Sequence, residues 1–345
     1  MAISLGVLGT ARIVESGLLQ PAAGLPGIEV GAIAARDPER AAEYAAAHGI
    51  PRVLADYEAV VDDPGVDAVY IPSPPALHGY WMRRAIEAGK HVLCEKPFTA
   101  NAAEAAEIAA LAAGSDLVVM EAFHSRYHPM WPRMAEVIEQ QVLGRILSAT
   151  ATFCVPQPDP EDFRWQRALG GGAVMDLGCY PLRLLRYLFG EPGIVTARAT
   201  EVSGVDAAMT VELAFPDDIP GQVRASMRTD DPLSITLQVI GSAGTLDVGM
   251  PYHPHIRGQL TLTTADGQHV DPGGFRSTYA YQLEAFRDAI LEGTPIPTDA
   301  REATTVMRLI DDIYRAAGMP PCVPVPEPNS DDSQTIEEGT SCPSM

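Results

Sequence analysis

Lys96 is the residue whose type and position point most directly to chemistry. Only two of the 24 basic residues are lysines, Lys90 and Lys96, and the others are arginines. Arginine stays protonated in proteins, whereas burial and neighbouring charges can move the pKa of a lysine into a catalytic range. Lys96 follows a predicted strand, in Glu95-Lys96-Pro97, at the edge where open α/β sheets bind ligands. We therefore expect chemistry at Lys96 and a solvated loop residue at Lys90. A solvated Glu95-Lys96 ion pair is the alternative.

A second segment, from Gly170 to Tyr180, contains residues that could take part in catalysis or binding. Three consecutive glycines suit a backbone that passes close to a ligand. Asp176 and Tyr180 are four residues apart on a predicted helix, 175–189, so their side chains share one face. The alternative is a purely structural helix, in which Tyr180 packs in the core and Asp176 caps the helix N-terminus.

The elements around Lys96 predict a parallel sheet. Apolar strand patterns alternate with helical patterns at about 10–23, 38–48, 77–88 and 101–113, and the strands are 3–8, 28–35, 68–71, 91–94 and 117–121. Strands that alternate with helices of this length form right-handed βαβ units. Residues 1–122 are therefore predicted to form one α/β domain.

The elements around Asp176 and Tyr180 predict a different sheet. After a helix at about 129–141, strand patterns follow at 146–153, 196–201, 207–215, 221–227, 234–240 and 245–248. Such a run favours a large, mainly antiparallel sheet in an α+β domain, 123–319, which ends in helices at 278–292 and 299–317. Residues 320–345 are rich in Pro, Ser, Asp and Glu, which predicts a disordered acidic tail.

The turn after the first strand predicts a dinucleotide site. Gly9-Thr10-Ala11-Arg12-Ile13 follows a strand and opens a helix, where a pyrophosphate binds the helix N-terminus. The Gly-rich fingerprint is imperfect, because Ala11 and Val14 replace its second and third glycines. Val14 should push the helix slightly off the sheet. A plain strand-to-helix turn is the alternative.

The end of the second strand bears on the choice between NADP and NAD. NAD sites place a carboxylate there for the ribose hydroxyls, whereas a 2′-phosphate requires arginine. Ala35-Arg36, with Arg40 one turn later, favours NADP. Asp37 is either a displaced ribose carboxylate or the cap of the next helix, and we interpret it as the cap. NADP is therefore predicted, with NAD as the alternative.

Histidines and cysteines are weaker candidates. His78 follows Ser73-Pro74 and could contact the nicotinamide ribose. His124 and His128 are four residues apart but lack a third ligand, so no metal site is predicted. Cys94 and Cys179 flank the proposed site, where a small buried thiol is the more common finding.

Composition excludes several classes of protein. A net charge of −21 argues against nucleic acid or an anionic membrane as a partner. No apolar stretch is long enough to span a bilayer. Five cysteines without a CxxC pair, and no recognisable signal peptide, predict a reduced protein of the cytoplasm.

Together these segments resemble the Gfo/Idh/MocA oxidoreductase family. The matching segments, in order, are 9–13, 71–74 with His78, 95–97, 126–129 and 170–180. The resemblance implies a Rossmann domain and a C-terminal domain whose open sheet often makes a dimer contact. It also implies nicotinamide-dependent chemistry on sugars, polyols or related alcohols, with Lys96 in the active site. The residues predicted to bind the cofactor are Gly9, Thr10, Ala11, Arg12, Ile13, Ala35, Arg36, Arg40, Ser73, Pro74, His78, Glu95, Lys96 and Pro97.

Two departures from the family pattern narrow the resemblance. Tyr180 stands where many members carry histidine, and Arg183 where a further aspartate is common. A tyrosine here is similar to the dihydrodiol dehydrogenase and NADP-dependent D-xylose dehydrogenase branch, and to sugar ketoreductases of antibiotic pathways. Pro75, where asparagine is frequent, puts one cofactor hydrogen bond in question.

We therefore hypothesise hydride transfer between a secondary alcohol carbon and NADP. Tyr180 is the predicted acid/base, with a pKa lowered from about 10 by Lys96, and Asp176 holds Lys96 or a substrate hydroxyl. Lys96 itself as proton carrier stays an alternative, because a coupled pair titrates as one system.

The predicted substrate is a vicinal diol, either a trans-dihydrodiol or an aldose such as xylose. The predicted substrate-binding residues are Trp165, Arg126 and Phe153, with Tyr252 and Phe275 as further candidates for an apolar wall. A keto-sugar reductase and a non-catalytic NADP-binding regulator are the alternatives, because fold does not determine function. A homodimer is expected, and an apolar outer face on the second sheet would support it.

Overall fold

The computed structural model describes residues 2–325. Its first sheet contains β1 (Ile3–Leu8), β2 (Ile28–Ala34), β3 (Ala68–Ile71), β4 (His91–Glu95) and β5 (Val119–Ala122). These strands are all parallel in the order β2-β1-β3-β4-β5. Their side chains are almost all buried, as a sheet covered by helices on both faces requires. The chain changes direction across the sheet between β1 and β3, and that switch point is where α/β sheets bind ligands.

Helices flank this sheet, and polar side chains cap the N-termini of three of them. A π-helical turn (Glu15–Leu19) leads into α1, and the helices of this part are α1 (Gln20–Ala23), α2 (Pro38–His48), α3 (Tyr57–Asp62), α4 (His78–Glu87) and α5 (Ala102–Ala113). Asp37, Asp56 and Asn101 each accept a backbone N–H of the helix that follows. The interpretation of Asp37 as a cap is confirmed. The sequence analysis missed α3, because six residues are too few to show a helical period.

The second sheet is larger and mixed. Its strands are β6 (Ile146–Cys154), β7 (Gly193–Val202), β8 (Val205–Phe215), β9 (Ile219–Ser226), β10 (Ser234–Gly241), β11 (Gly244–Gly249), β12 (Gln259–Thr264) and β13 (Gly267–Pro272). They lie in the order β13-β12-β11-β10-β6-β9-β8-β7, and every pair is antiparallel except β6 with β9. The hairpin of β12 and β13 was not predicted, because its second strand is polar and exposed.

One helix precedes the first strand of the second sheet, and another follows it. Helix α6 (Met130–Glu139) follows β5, and α7 (Cys179–Phe189) packs on the inner face of the second sheet against β6 and β9. A π-helical turn, Val174–Gly178, precedes α7 and carries Asp176. Lys96 therefore lies at the end of a strand of the first sheet, and Asp176 and Tyr180 at the start of a helix on the second.

The outer face of the second sheet is polar. Thr150 and Thr152 alternate with buried Ala149 and Ala151 along β6, so the threonines point outwards. Gln238 and Gln222 flank Thr150 on the two neighbouring strands. The apolar face that would have supported a dimer is therefore not present on β6 and its neighbours.

The last described residues return to the first unit. Helices α8 (Thr278–Glu292) and α9 (Ala300–Ala316) pack against α1 and α5 respectively. Beyond them, Cys322 is buried and its carbonyl accepts from Asn101, and the Val325 N–H donates to the carbonyl of Ala76. Cys322 and Val325 therefore contact the first unit, although Val323 between them is 72% exposed, so the predicted start of the acidic tail at residue 320 is too early. The rest of that tail lies outside the described residues.

Candidate active site

An ionic cluster joins the two sheets at Lys96. Its ammonium group donates to the Asp176 carbonyl and to Asp176 Oδ1, each at 2.8 Å. The other carboxylate oxygen, Oδ2, accepts from Arg164 Nε at 2.7 Å, and Arg164 also lies 3.2 Å from the carboxylate of buried Asp162. We call Lys96, Asp176, Arg164 and Asp162 the ionic cluster. The sequence analysis predicted its first two members and missed the other two.

The glycine run positions this cluster. A Cβ on Gly171 would collide with the backbone carbonyls of Phe163 and Arg164, so only glycine lets the two segments approach this closely. Gly172 has a φ of +137°, and a Cβ there would collide with the carboxylate of Asp206. That carboxylate accepts from the Val174 N–H at 2.8 Å. The prediction of a close backbone approach is correct, but the partner is the protein itself.

The charges of the ionic cluster are strongly coupled. Burial alone would raise the pKa of Asp176, but Arg164 and Lys96 outweigh it and hold that pKa well below its usual range. Burial alone would lower the pKa of Lys96, but Asp176 reverses the shift, and the pKa is raised. A raised pKa favours the charged ammonium form of Lys96 at neutral pH. This finding disfavours Lys96 as the proton carrier.

Tyr180 lies beside this cluster, and its ring packs among aromatic side chains. The Lys96 ammonium is 5.1 Å from the centroid of the Tyr180 ring, a cation–π contact. Phe153 packs edge-on against the ring at 5.2 Å, and Phe123 at 4.8 Å. Burial raises the pKa of Tyr180 well above its ordinary value, with smaller contributions from Tyr279 and other acidic groups. The predicted lowering of this pKa by Lys96 is wrong for this structure, and Tyr180 is a protonated phenol.

The hydroxyl of Tyr180 belongs to a hydrogen-bonded chain of side chains. It lies 3.1 Å from Nε2 of His124, whose Nδ1 lies 2.8 Å from Thr278 Oγ1. Thr278 Oγ1 in turn lies 3.3 Å from Nδ1 of His255. We call Tyr180, His124, Thr278 and His255 the histidine chain. The sequence analysis missed it because its members come from four separate segments that share no motif.

The switch point of the first sheet fits a dinucleotide. Gly9 at the end of β1 has a φ of +114°, and a Cβ there would lie 3.1 Å from the Tyr57 hydroxyl. Thr10 Oγ1 and Ser73 Oγ, at the ends of β1 and β3, are buried and have no hydrogen-bond partner among residues 2–325. Two unsatisfied hydroxyls on either side of the switch point are donors for phosphate or ribose oxygens.

The imperfect fingerprint is accommodated locally. Val14 is fully buried, and the helix after it is wound as a π turn. Gly17 lies next to the sheet, where a Cβ would be at contact distance, 3.4 Å, from the Tyr70 hydroxyl. The helix therefore packs on the sheet without a glycine at position 14. Ala11 and Ile13 are half-buried and Arg12 is exposed.

Three residues predicted to bind the cofactor are instead internal braces. His78 is fully buried, with Nδ1 at 2.9 Å from the Pro97 carbonyl and Nε2 at 2.6 Å from the Ser73 carbonyl. Glu95 accepts from the Tyr70 hydroxyl at 2.7 Å and from the Lys96 N–H. His78 and Pro97 thus hold the strand-end loops together, and Glu95 ties β4 to β3. Both ring nitrogens of His78 face backbone carbonyls, so neither is directed at a ligand in this structure, in contrast to its predicted contact with the nicotinamide ribose.

Two arginines follow the second strand, which is adjacent to β1 at the switch point. Ala35 is buried, and Arg36 and Arg40 are half-buried. Asp37 Oδ1 accepts the N–H groups of Glu39 and Arg40 at 2.9 and 3.2 Å. Since this carboxylate oxygen caps α2, Asp37 is engaged within the protein, and Arg36 and Arg40 are the basic residues that follow β2.

The residues predicted to contact substrate have different positions. Trp165 is half-buried, and its indole N–H is buried without a partner among the described residues. Phe153 is buried and stacks on Tyr252 at 4.9 Å, so it supports Tyr180 rather than lining a cleft. The Arg126 guanidinium stacks on Tyr187 at 4.1 Å. Phe275 is 93% exposed, which excludes it from an apolar wall in this structure.

Other candidates have structural partners. His128 Nδ1 accepts the Met130 N–H at 3.1 Å, so His124 and His128 serve different contacts. Within residues 2–325, no group of three or more His, Cys, Asp or Glu side chains could hold a metal. Burial raises the pKa of the Cys94 and Cys179 thiols, which are therefore protonated. Lys90 donates to the carbonyls of Asp63 and Val66, each at 2.8 Å, so it is not a solvated residue.

Two family models match most of the chain. Residues 3–123 match the oxidoreductase family model with an NAD-binding Rossmann fold, and residues 131–247 match the GFO/IDH/MocA C-terminal domain. No helix in residues 2–325 is long and apolar enough to cross a membrane.

Named relatives cover nearly the whole chain. The chain is 37% identical over 321 residues to D-xylose 1-dehydrogenase (NADP(+)) 2 of Haloferax volcanii, covering 90% of this chain and 96% of the relative. It is 33% identical over 335 residues to trans-1,2-dihydrobenzene-1,2-diol dehydrogenase of Sus scrofa, covering 92% and 98%. Among solved structures, it resembles a 3-ketoreductase of Actinomadura kijaniata in complex with NADP and TDP-benzene. The TM-score is 0.85 and the identity 28%, over 92% of this chain and 98% of that one.

Proposed function

Because this chain belongs to the Gfo/Idh/MocA oxidoreductase family, we propose that it transfers hydride between NADP and a secondary alcohol or hemiacetal carbon of a sugar or vicinal diol. One observation carries the proposal. Lys96 Nζ is fixed by two 2.8 Å hydrogen bonds to Asp176 beside the hydroxyl-bearing ring of Tyr180. A fixed cation and a phenol at a strand end are the groups that alcohol oxidation and ketone reduction require.

Lys96 acts by charge. An ammonium has three N–H donors, and two of them are bound to Asp176, so the third can donate to a substrate oxygen. The raised pKa keeps Lys96 protonated, which stabilises negative charge developing on that oxygen. Asp176 and Arg164 hold the ammonium in place, because Asp176 is anchored from both sides.

Tyr180 moves the proton. Its ring lies 5.1 Å from the Lys96 ammonium, and as a protonated phenol Tyr180 donates directly to a ketone oxygen. In the oxidation direction it accepts the alcohol proton as it passes its own proton to His124, 3.1 Å away. When bound, NADP supplies the hydride acceptor, and its reduced form the donor, at nicotinamide C4.

The cofactor contacts follow from the switch point. Gly9, Thr10 and Ser73 would bind the pyrophosphate and ribose, since their backbone and hydroxyl groups converge there. Arg36 and Arg40 would bind the 2′-phosphate. The NADP named for the xylose dehydrogenase and seen in the ketoreductase complex supports this assignment.

The substrate class is proposed from the relatives and from Trp165. Two of the relatives that cover nearly the whole chain act, by name, on xylose and on a trans-dihydrodiol. Trp165 follows Arg164, a member of the ionic cluster, in the chain. The indole N–H of Trp165 has no partner among the described residues and would bind a substrate hydroxyl. A 3-ketosugar reductase is the second candidate, and the TM-score of 0.85 to the ketoreductase supports it. Cytoplasmic location, the domain boundaries and a homodimer stay predictions.

A substrate panel tests the proposal. Absorbance of reduced nicotinamide would be followed with D-xylose, D-glucose, trans-1,2-cyclohexanediol and a 3-keto-sugar, each with NADP and with NAD. We expect turnover of at least one sugar or diol with NADP. Tight NADP binding without turnover of any compound would instead indicate a regulator built on the same fold.

The cofactor preference has its own test. Replacing Arg36 by alanine should raise the KM for NADP about tenfold and leave the KM for NAD nearly unchanged, since only NADP has the 2′-phosphate. Exposed Arg257→Ala, far along the chain in the loop after β11, is the control. An equal rise for both cofactors would contradict a 2′-phosphate site at Arg36.

A further inference from the structure

The position of Tyr180 raises the question of where its proton goes. The side chain is only 4% exposed, and Phe153, Tyr252 and His253 lie around the ring within 6.1 Å. A protonated phenol in such a site accepts an alcohol proton only if its own proton leaves at the same time. The single polar side chain within hydrogen-bond distance of its hydroxyl in residues 2–325 is His124.

The histidine chain leads from this hydroxyl towards solvent. Its consecutive distances are 3.1 Å (Tyr180 to His124), 2.8 Å (His124 to Thr278) and 3.3 Å (Thr278 to His255). His124 and Thr278 are buried, whereas His255 is half-buried. The chain therefore begins at the buried acid/base group and ends at a half-buried histidine.

One backbone group fixes the direction of every hydrogen bond in the chain. Thr278 is the first residue of α8, where helical N–H groups lack an intrahelical acceptor, and its N–H donates to His255 Nδ1 at 3.4 Å. His255 Nδ1 therefore carries no proton, so Thr278 Oγ1 must donate to it as well. Thr278 Oγ1 then accepts from His124 Nδ1, which leaves His124 Nε2 as the acceptor for the Tyr180 hydroxyl.

We propose that the histidine chain is a proton relay between the Tyr180 hydroxyl and solvent, oriented in the resting protein to carry a proton outwards. The proposal rests on the proposed oxidoreductase function. The chain accepts one proton at its inner end and releases one at its outer end, so it needs no other reactant.

Each oxidative turnover balances along this path. The C–H electron pair of the alcohol leaves as hydride, and the alcohol proton passes to the Tyr180 oxygen as a C=O bond forms. The Tyr180 proton moves to His124 Nε2, the Nδ1 proton of His124 to Thr278 Oγ1, and the Thr278 proton to His255 Nδ1. His255 releases its Nε2 proton to solvent. These transfers leave His124 protonated at Nε2 and His255 protonated at Nδ1. Reduction runs the same steps in reverse from these tautomers, and proton exchange returns both imidazoles to their resting tautomers before the next oxidation.

The surroundings of His124 favour transfer over storage of the proton. Burial, with the neighbouring charges of His253, His255, Lys96 and His128, lowers the pKa of His124 well below its usual value. Burial also lowers the pKa of His255. Both imidazoles are therefore neutral at pH 7, with one donor and one acceptor nitrogen each, as a relay requires.

Thr278 gives the sharpest test, because Thr278→Val removes only the hydroxyl. We expect its kcat for the best panel substrate to fall about 10- to 100-fold, while Thr278→Ser stays within about threefold of wild type. The control is Thr304→Val, whose buried hydroxyl donates only to the Ala300 carbonyl within its own helix. NADPH binding and thermal stability would be measured for all three variants. A wild-type kcat in Thr278→Val would overturn the relay.

Two further readouts separate a relay from a structural contact. His255→Ala should lose activity and regain it on addition of imidazole, and a loss that imidazole leaves unchanged would count against the relay. Nitrogen-15 spectra of histidine-labelled protein, assigned with His124→Gln and His255→Gln, should show Nδ1 protonated in His124 and unprotonated in His255. The opposite tautomers would overturn the orientation. Since these spectra need no turnover, they distinguish a failed relay from an inactive panel, which would contradict the oxidoreductase proposal itself.

Discussion

The ionic cluster and the histidine chain both contact Tyr180, but they differ in charge. The side chains of the ionic cluster are charged, and those of the histidine chain are neutral. In the ionic cluster, Lys96 and Arg164 both bind Asp176 within 2.8 Å, and each charge stabilises the next. In the histidine chain, burial lowers the pKa of His124 and His255, and no side chain is charged at pH 7. The cluster can therefore hold a substrate oxygen and stabilise its charge, but it cannot release a proton. The chain can move a proton but cannot hold one.

This difference follows from where the chain places its carboxylates. Asp176 and Asp162 both lie next to Arg164, while the aromatic residues around Tyr180 leave no carboxylate near His124 Nε2 in the described residues. A carboxylate beside His124 would raise its pKa and trap the proton there. Separation of the two regions by the Tyr180 ring therefore lets both functions operate at one pH.

The largest expected effect tests the ionic cluster. Lys96→Met should lower kcat/KM about 10³-fold, because the charge that stabilises the substrate oxygen is lost. Lys96→Arg should also be strongly impaired, because a planar guanidinium cannot repeat the two bonds to Asp176. NADPH binding, measured by fluorescence titration, should change little. Lys90→Met is the matched control, since Lys90 binds only loop carbonyls. A near-wild-type rate in Lys96→Met would contradict the catalytic role assigned to Lys96.

The next effect tests the inner end of the histidine chain. Tyr180→Phe should lower kcat about 10²-fold with little change in KM, because proton transfer is lost while the ring and its packing are kept. Tyr252→Phe is the matched control, since its hydroxyl is equally buried in the same aromatic cluster but has no partner in residues 2–325. If both variants lose the same activity, packing rather than proton transfer explains the result.

A smaller effect distinguishes the two cations of the ionic cluster. Arg164→Gln should lower kcat about tenfold, because Asp176 keeps its contact with Lys96 but loses its second anchor. Arg133→Gln, which breaks an ion pair with Asp271 at the protein surface, is the control. Steady-state kinetics at several pH values would measure both. A loss as large as that of Lys96→Met would mean that Arg164 contacts the substrate itself.

The sequence predicted the ionic cluster better than the histidine chain, and the reason is physical. Lys96, Asp176 and Tyr180 each follow a local signal, namely a strand end, a glycine run and a helical spacing of four. Parallel strands that end at one edge then bring such signals together. The existence and type of most elements were predicted for the same reason, because periodicity is local.

The parts that sequence could not give depend on contacts between distant segments. His255 and Thr278 meet only because the loop after β11 lies over the first turn of α8. The direction of a pKa shift depends on the same kind of information. Burial and carboxylate contacts reversed the expected shifts of both Tyr180 and Lys96, and neither is visible in a linear pattern.

The smallest expected effect is a pH dependence of stability that separates the two regions. Burial lowers the pKa of His253, which packs on His124 at 4.9 Å, to about 3. The unfolded chain binds a proton at this residue near pH 6.5 and the folded protein does not, so stability is lost as pH falls below about 6.5.

Asp176 contributes in the same direction only below about pH 4, where the unfolded carboxylate is protonated. Between pH 6.5 and 4.5 the buried histidines therefore lose stability, while the carboxyls of Glu104 and Asp206, whose pKa burial raises to about 7 and about 6, gain it. His253→Gln should reduce the slope of the unfolding free energy in this range by up to about 1 kcal/mol per pH unit. Urea denaturation at pH 4.5 to 8 would measure it, with the exposed residue His269→Gln as control. An unchanged slope in His253→Gln would mean that this ring is already protonated in the folded protein, and the uncharged character assigned to the region around Tyr180 would then be wrong.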